Sequence, residues 1–147
     1  MDQKKSKIST EQLNMISYGS QYIDNSDIKA VVEVLKSDFI TQGQKIPEFE
    51  NKINTFVGSK FSVAFNSATS ALISACKALD IENGDIIWTS PISFVSSANC
   101  ALICGAEINF IDINPMSFNI DVDELEKKLK NTQQNKRPKA IIVVHFS

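Results

Sequence analysis

An α/β fold built on a parallel sheet is predicted from three observations. Short runs of β-branched and aromatic residues alternate with segments whose apolar residues recur at helical spacing. Turns of small, hydroxyl-bearing residues join several of these runs to the helix that follows. The last run, Ala140-Ile141-Ile142-Val143-Val144, is apolar on both faces, as a strand covered by helices on two sides must be.

The elements follow in order. Ile28, Val31, Val32 and Leu35 share one helical face, with Asn25 or Ser26 as the expected N-cap and Lys36-Ser37-Asp38 as the stop. Phe39-Ile40-Thr41-Gln42-Gly43 reads as an exposed loop. Pro47 suits the first turn of a second helix carrying Phe49, Ile53, Phe56 and Val57 inward, and Gly58 ends it. A strand is expected over 61–66, then a helix over 68–79 that buries Leu72, Ile73, Cys76 and Leu79. The turn Asn83-Gly84-Asp85 leads to a strand over 86–89 and a helix over 93–104, closed by Gly105. A strand over 108–112 ends at the turn Asn114-Pro115. Asp121 and Glu124 have capping-box spacing before a short helix with Leu125 and Leu129 inward. After a polar loop, residues 139–146 are expected to form the most buried, central strand. A chain that stops directly after such a strand is expected to be a fragment.

Composition narrows the function. With 147 residues and 43% hydrophobic content the chain is long enough for one core. A net charge of −2 and a pI near 5.4 give no footprint for nucleic acid. No apolar run approaches the roughly 20 residues that span a bilayer. Residues 1–14 lack the apolar stretch of a signal peptide, so they read as a flexible tail on a cytoplasmic protein. The three cysteines sit among Ala, Leu and Ile, as buried small hydrophobes do, and no metal site is expected. His145, the single histidine, receives no role.

The richest segment is Phe65-Asn66-Ser67-Ala68-Thr69-Ser70-Ala71-Leu72. The first N–H groups of a helix lack intrahelical partners, and the helix dipole adds about half a positive charge there. Small side chains let a phosphate approach that backbone. The alternative is a plain cap, with Asn66 or Ser67 satisfying the helix end and no ligand involved. A second segment, Ser90-Pro91-Ile92-Ser93-Phe94-Val95, follows the 86–89 strand. Parallel crossovers return the chain to the strand C-terminal edge, where ligands bind. Phe94 is expected just beyond that edge, within reach of a flat heterocycle, or else packed in the core. A phosphate cup with an aromatic stack suits pyridoxal 5′-phosphate.

Tyr18, Ile40-Thr41-Gln42-Gly43, Asn66–Leu72, Ser90–Val95 and Phe110-Ile111-Asp112 together resemble the ordered motifs of the DegT/DnrJ sugar-nucleotide aminotransferases. The resemblance runs from about Met15 to the end of the chain. It is strongest to the branch that aminates the C4 keto group of a UDP-linked 4-keto-6-deoxy-amino sugar on the way to pseudaminic acid. It implies the N-terminal part of a fold-type I (aspartate-aminotransferase-like) large domain over residues 15–147, a pyridoxal phosphate cofactor and a homodimer. It assigns Ala68, Thr69 and Ser70 to the cofactor phosphate and Phe94 to the cofactor ring. Tyr18, Phe39, Ile40 and Thr41 would meet the nucleotide-sugar. Asp112 matches a family position but is not the aspartate that pairs with the pyridine nitrogen. That aspartate and the cofactor-anchoring lysine both fall downstream of the matched segment, and no lysine here has the matching context. No catalytic residue is therefore assigned, and the chain alone is expected to be inactive. The amino donor is expected to be glutamate.

Two other readings compete. A Rossmann-type nucleotide-binding module would need G-x-G-x-x-G or G-x-x-x-x-G-K-[ST] after a strand, and neither occurs among the five glycines. A non-catalytic truncated remnant is compatible with the missing lysine.

Overall fold

The computed structural model describes residues 19–146, which fall into two compact units divided between Ser62 and Val63. The Tyr18 assignment and the 1–14 tail lie outside the described residues.

In the first unit, α1 spans Asn25–Leu35 and α2 spans Lys45–Val57. The N-cap of α1 is Asp24, one residue before the predicted position. Its carboxylate accepts the Ser26 and Asp27 N–H groups, and Asp27 returns a bond to the Asp24 N–H. A carboxylate outcompetes an amide or hydroxyl cap because it adds charge at the positive end of the helix. Gly58 ends α2 in the left-handed conformation at φ 70°, as its lack of a Cβ allows.

The second unit contains α3 (Ala68–Ala78), β1 (Ile86–Thr89), α4 (Ser96–Ile103), β2 (Glu107–Phe110), α5 (Val122–Asn131), a single 3-10 turn at Gln134–Lys136, and β3 (Ala140–Ile142). The three strands are parallel in the order β2-β1-β3, with Trp88 opposite both Asn109 and Ile141. Alternation along β1 divides the core. Ile87 packs with Cys76 of α3 and Cys100 and Ala101 of α4 on one face. Trp88 packs with Ile111, Ile120 and the α5 residues Leu125 and Leu129 on the other. Helices on both faces of a parallel sheet are the predicted α/β architecture.

Further expectations are corrected: Phe49, Phe56 and Val57 of α2, expected inward, are exposed among the described residues. Residues 61–66 form no strand; Phe61, Val63 and Phe65 are exposed, because β propensity cannot supply the neighbour a strand needs. Among the described strands, β1 lies between the other two and is the most buried. Thr89, Trp88 and Ile87 are sealed by a strand on each side and helices above and below, whereas β3 pairs with β1 alone and is half-buried. Leu79 is 55% exposed, since α3 ends at Ala78 and the chain turns outward through Asp80. Helix α4 starts at Ser96 rather than residue 93, Val95 being its N-cap.

An ion pair pins the N-terminal edge of the sheet. Lys139 Nζ donates to Asp85 Oδ2 at 2.8 Å and to the Asp80 carbonyl at 2.6 Å. The bond from Lys139, then that from the Glu82 N–H, holds the Asp85 carboxyl below its usual range, and the Asp85 bond raises Lys139. A depressed carboxyl stabilises the fold above its unfolded pKa, and that gain is lost as pH falls through its folded value. A raised lysine stabilises below its unfolded pKa, and its gain is lost as pH climbs through its folded value. Urea unfolding of Lys139→Met should therefore show less destabilisation on acidification from neutral pH than wild type. Equal acid sensitivity of the two proteins would remove the pair from this role.

Candidate functional site

The C-terminal edge of the sheet is where hydroxyls and helix N-termini gather. Helix α4 follows β1 and so begins at this edge. Helix α3 leads into β1 through a short connection and packs on α4, so it runs antiparallel to the strand and its N-terminus faces the same way. Charge at helix starts then separates the five helices. Acidic side chains occupy the first turns of α1, α2 and α5 (Asp27, Glu48, and Asp123 with Glu124), but neither α3 nor α4 has one. The positive dipole ends of these two helices are left without a carboxylate, a condition that favours an outside anion.

At α3, Ser67 is the cap, as one of the two cap candidates in the sequence. Its Oγ accepts the Ser70 N–H at 3.1 Å and lies 3.0 Å from Ser70 Oγ. The Ser70 N–H is thus already engaged, while the Ala68 and Thr69 N–H groups sit at positions with no intrahelical acceptor. Thr69 and Ser70 are half-buried and Ala68 is exposed. Of the three assigned backbone donors, the Ser67 cap engages that of Ser70 and leaves those of Ala68 and Thr69 at the open helix start.

At the end of β1, a cavity of about 180 Å³ is lined by Thr89, Ser90, Pro91, Ser93, Phe94 and Phe110 among others. Phe94 is 74% exposed among the described residues and lines this cavity. The rim is held by local bonds. Thr89 Oγ1 donates to the Ile142 carbonyl at 2.9 Å, tying β1 to β3, and Ser93 and Ser97 share a 2.6 Å hydroxyl bond. Lys128 Nζ donates to the Phe110 carbonyl at 2.8 Å while lying 4.9 Å from the Trp88 ring centroid. Ser90 is 2% exposed and its Oγ has no hydrogen-bond partner among the described residues, at a cost of about 1–3 kcal/mol. Ala68, Thr69 and Ser70 are not part of this cavity's lining.

The assigned nucleotide-sugar residues fall in the first unit. Phe39 and Ile40 line a cavity of about 310 Å³ with Val34, Ser37, Gly43 and Ile46, and Thr41 is exposed beside it. Thr89, Ser90 and Phe110 line the β1 cavity although sequence reasoning assigns them no role there. A signal for them exists in the sequence: each stands at or next to the C-terminal end of a strand. Asp112 donates no chemistry to the cavity; its carboxylate accepts the Ile113 N–H at 2.8 Å, a turn-capping role. His145 is exposed. Burial pushes the Cys76 thiol up to about 12, with Cys100 and then Cys104 adding to the effect, so this thiol is protonated and inert at neutral pH. No group of His, Cys, Asp and Glu able to hold a metal occurs among the described residues. No helix among them is long and apolar enough to cross a membrane.

A parallel sheet with helices on both faces and acid-free helix starts at its C-terminal edge is the architecture this chain shares with solved pyridoxal-phosphate aminotransferases of fold type I. The chain matches a putative sugar aminotransferase from Streptococcus pneumoniae, solved in its PMP form, with TM-score 0.78 and 28% identity, over 90% of this chain and 32% of that one. It matches Helicobacter pylori PseC, an aminotransferase of pseudaminic acid biosynthesis, with TM-score 0.77 and 38% identity, over 88% of this chain and 34% of that one. In sequence it is 41% identical over 133 residues to the UDP-4-amino-4,6-dideoxy-N-acetyl-beta-L-altrosamine transaminase of Campylobacter jejuni, covering 90% of this chain and 34% of the relative. Residues 21–147 match the DegT/DnrJ/EryC1/StrS aminotransferase family, and the chain belongs to it. It spans about a third of the length of the curated relatives it matches.

Proposed function

We propose that these residues are the N-terminal third of a pyridoxal-phosphate-dependent aminotransferase. It moves an amino group, from glutamate, to the C4 keto carbon of a UDP-linked 4-keto-6-deoxy-amino sugar, for pseudaminic acid or a related surface glycan. The carrying observation is the acid-free N-terminus of α3. The exposed Phe94 ring and the names of the relatives at 38–41% identity support the same reading.

The residues present fit part of the cofactor. The Ala68 and Thr69 N–H groups and the Thr69 hydroxyl would hold its phosphate, and Phe94 would lie against its ring. When bound, pyridoxal phosphate supplies the electron sink that lets the donor's α-proton leave. This chain's own residues bind, orient and shield. The lysine that moves the proton and the aspartate that faces the pyridine nitrogen would belong to the rest of the protein. Residues 15–147 are read as the start of one cofactor-binding large domain in a cytoplasmic homodimer. Phe39, Ile40 and Thr41, with Tyr18, would contact the nucleotide-sugar.

The test uses the full-length protein loaded with cofactor. Glutamate should convert the bound cofactor to its amine form, and a UDP-linked 4-keto sugar should return it, with the new amine at C4 by NMR. Amination at another carbon, or no return with UDP-linked keto sugars, would reject the substrate assignment.

A further inference from the structure

Resting on that reading of the Phe39–Gly43 turn as substrate-facing, we propose that Gly43 and Gln42 are positioning residues that set its shape. The wall residues are poorly anchored by packing. Phe39 is 71% and Ile40 66% exposed, yet both line the cavity beside α1 and α2. What holds them is backbone geometry. A Cβ at Gly43 would stand 2.6 Å from the Phe39 carbonyl oxygen, a backbone atom that can retreat only if Phe39 itself moves. Gln42 adopts φ 55°, in the left-handed region that L side chains rarely take. At the entry, Ser37 Oγ donates to the Val34 carbonyl at 2.7 Å and lies 3.2 Å from the Phe39 carbonyl. The turn is thus closed on itself by the Gly43–Phe39 approach and braced against the end of α1 by Ser37. Gln42 and Gly43 thereby decide where Phe39, Ile40 and Thr41 stand.

Backbone geometry also separates the variants. Gly43→Ala forces Phe39 to shift, and Gln42→Val puts a β-branched side chain where the left-handed backbone opposes it. Gln42→Gly keeps the backbone and removes the strain. In the full-length protein, Gly43→Ala should raise KM for the UDP-linked keto sugar roughly tenfold, because displaced positioning groups cost binding steeply. Gln42→Val should move it the same way by a smaller factor. Gln42→Gly should stay within about twofold of wild type, and the glutamate half-reaction should be unchanged in all three. Should Gly43→Ala not accumulate as folded protein, the sugar KM of Gln42→Val decides. The inference is overturned if the folded variants leave the sugar KM unchanged, or if they slow the glutamate half-reaction as much as they raise that KM. A wild-type protein that reacts with glutamate but takes no UDP-linked keto sugar would overturn the substrate reading, and the inference with it. Unchanged kinetics in the variants would overturn the inference alone.

Discussion

Thr69→Ile should lower the affinity of the full-length protein for pyridoxal phosphate by at least about tenfold, the largest change expected from one substitution in this segment. The isoleucine removes a hydroxyl donor, and a hydrogen bond to a charged group contributes roughly 1.5–3 kcal/mol. It also places methyl groups beside the Ala68 and Thr69 N–H groups, the two α3 donors that the Ser67 cap leaves open. Thr69→Ser retains hydroxyl and backbone and should cost much less. Phe94→Ala should weaken binding by about 1–3 kcal/mol, the scale of aromatic stacking on a flat heterocycle. Spectroscopic titration with the cofactor measures all three. If Thr69→Ile binds as tightly as wild type, the start of α3 is a helix cap and nothing more, with Ser67 as its sufficient explanation.

The 147-residue chain by itself should show no transaminase activity at all. Among its lysines, those in the described residues stand at helix surfaces, loops and the Lys139–Asp85 pair. None has the sequence context of the family's cofactor-anchoring lysine. Incubation with pyridoxal phosphate followed by borohydride should leave no single lysine stoichiometrically carrying a pyridoxyl group, as read by peptide mass mapping. One fully labelled lysine would overturn this and would place an anchoring residue within the first third of the protein. The proposed phosphate cup and the proposed proton-moving lysine would be separate parts of the chemistry, so each is testable on its own.

Much of the fold is legible in the sequence because its causes are local. The helical spacing of Ile28, Val31, Val32 and Leu35, the small residues that open α3, and the glycines at 58 and 105 each act within a few residues. Gly58 and Gly105 have φ of 70° and 85°, conformations that glycine alone adopts freely, so a glycine just after an apolar-periodic run marks each of these helix ends. The candidate site is legible for a related reason: an anion cup needs an uncharged, small-residue helix start, and Ser67-Ala68-Thr69-Ser70 is one.

Sequence expectation and structure part where the answer depends on a neighbour. The 61–66 run has the residues of a strand, yet a strand exists only with a partner ladder. The cap of α1 is Asp24 rather than Asn25 or Ser26, a contest between adjacent candidates that the three-dimensional turn decides. The apolar run around β3 is half-buried among the described residues, where it pairs with β1 alone.

By itself, then, the sequence determined an α/β pattern with a small-residue helix start at Ala68–Ser70, and its ordered motifs resemble the aminotransferase family to which the chain belongs. Those properties follow from residue type, spacing and order, which the chain carries wherever it goes. Tertiary structure alone decided that β1 lies between β2 and β3, that Asp24 caps α1, and that Gly43 lies against the Phe39 carbonyl. Each of these depends on which backbone comes next to which, a contact that loop closure and packing select after local propensity is satisfied.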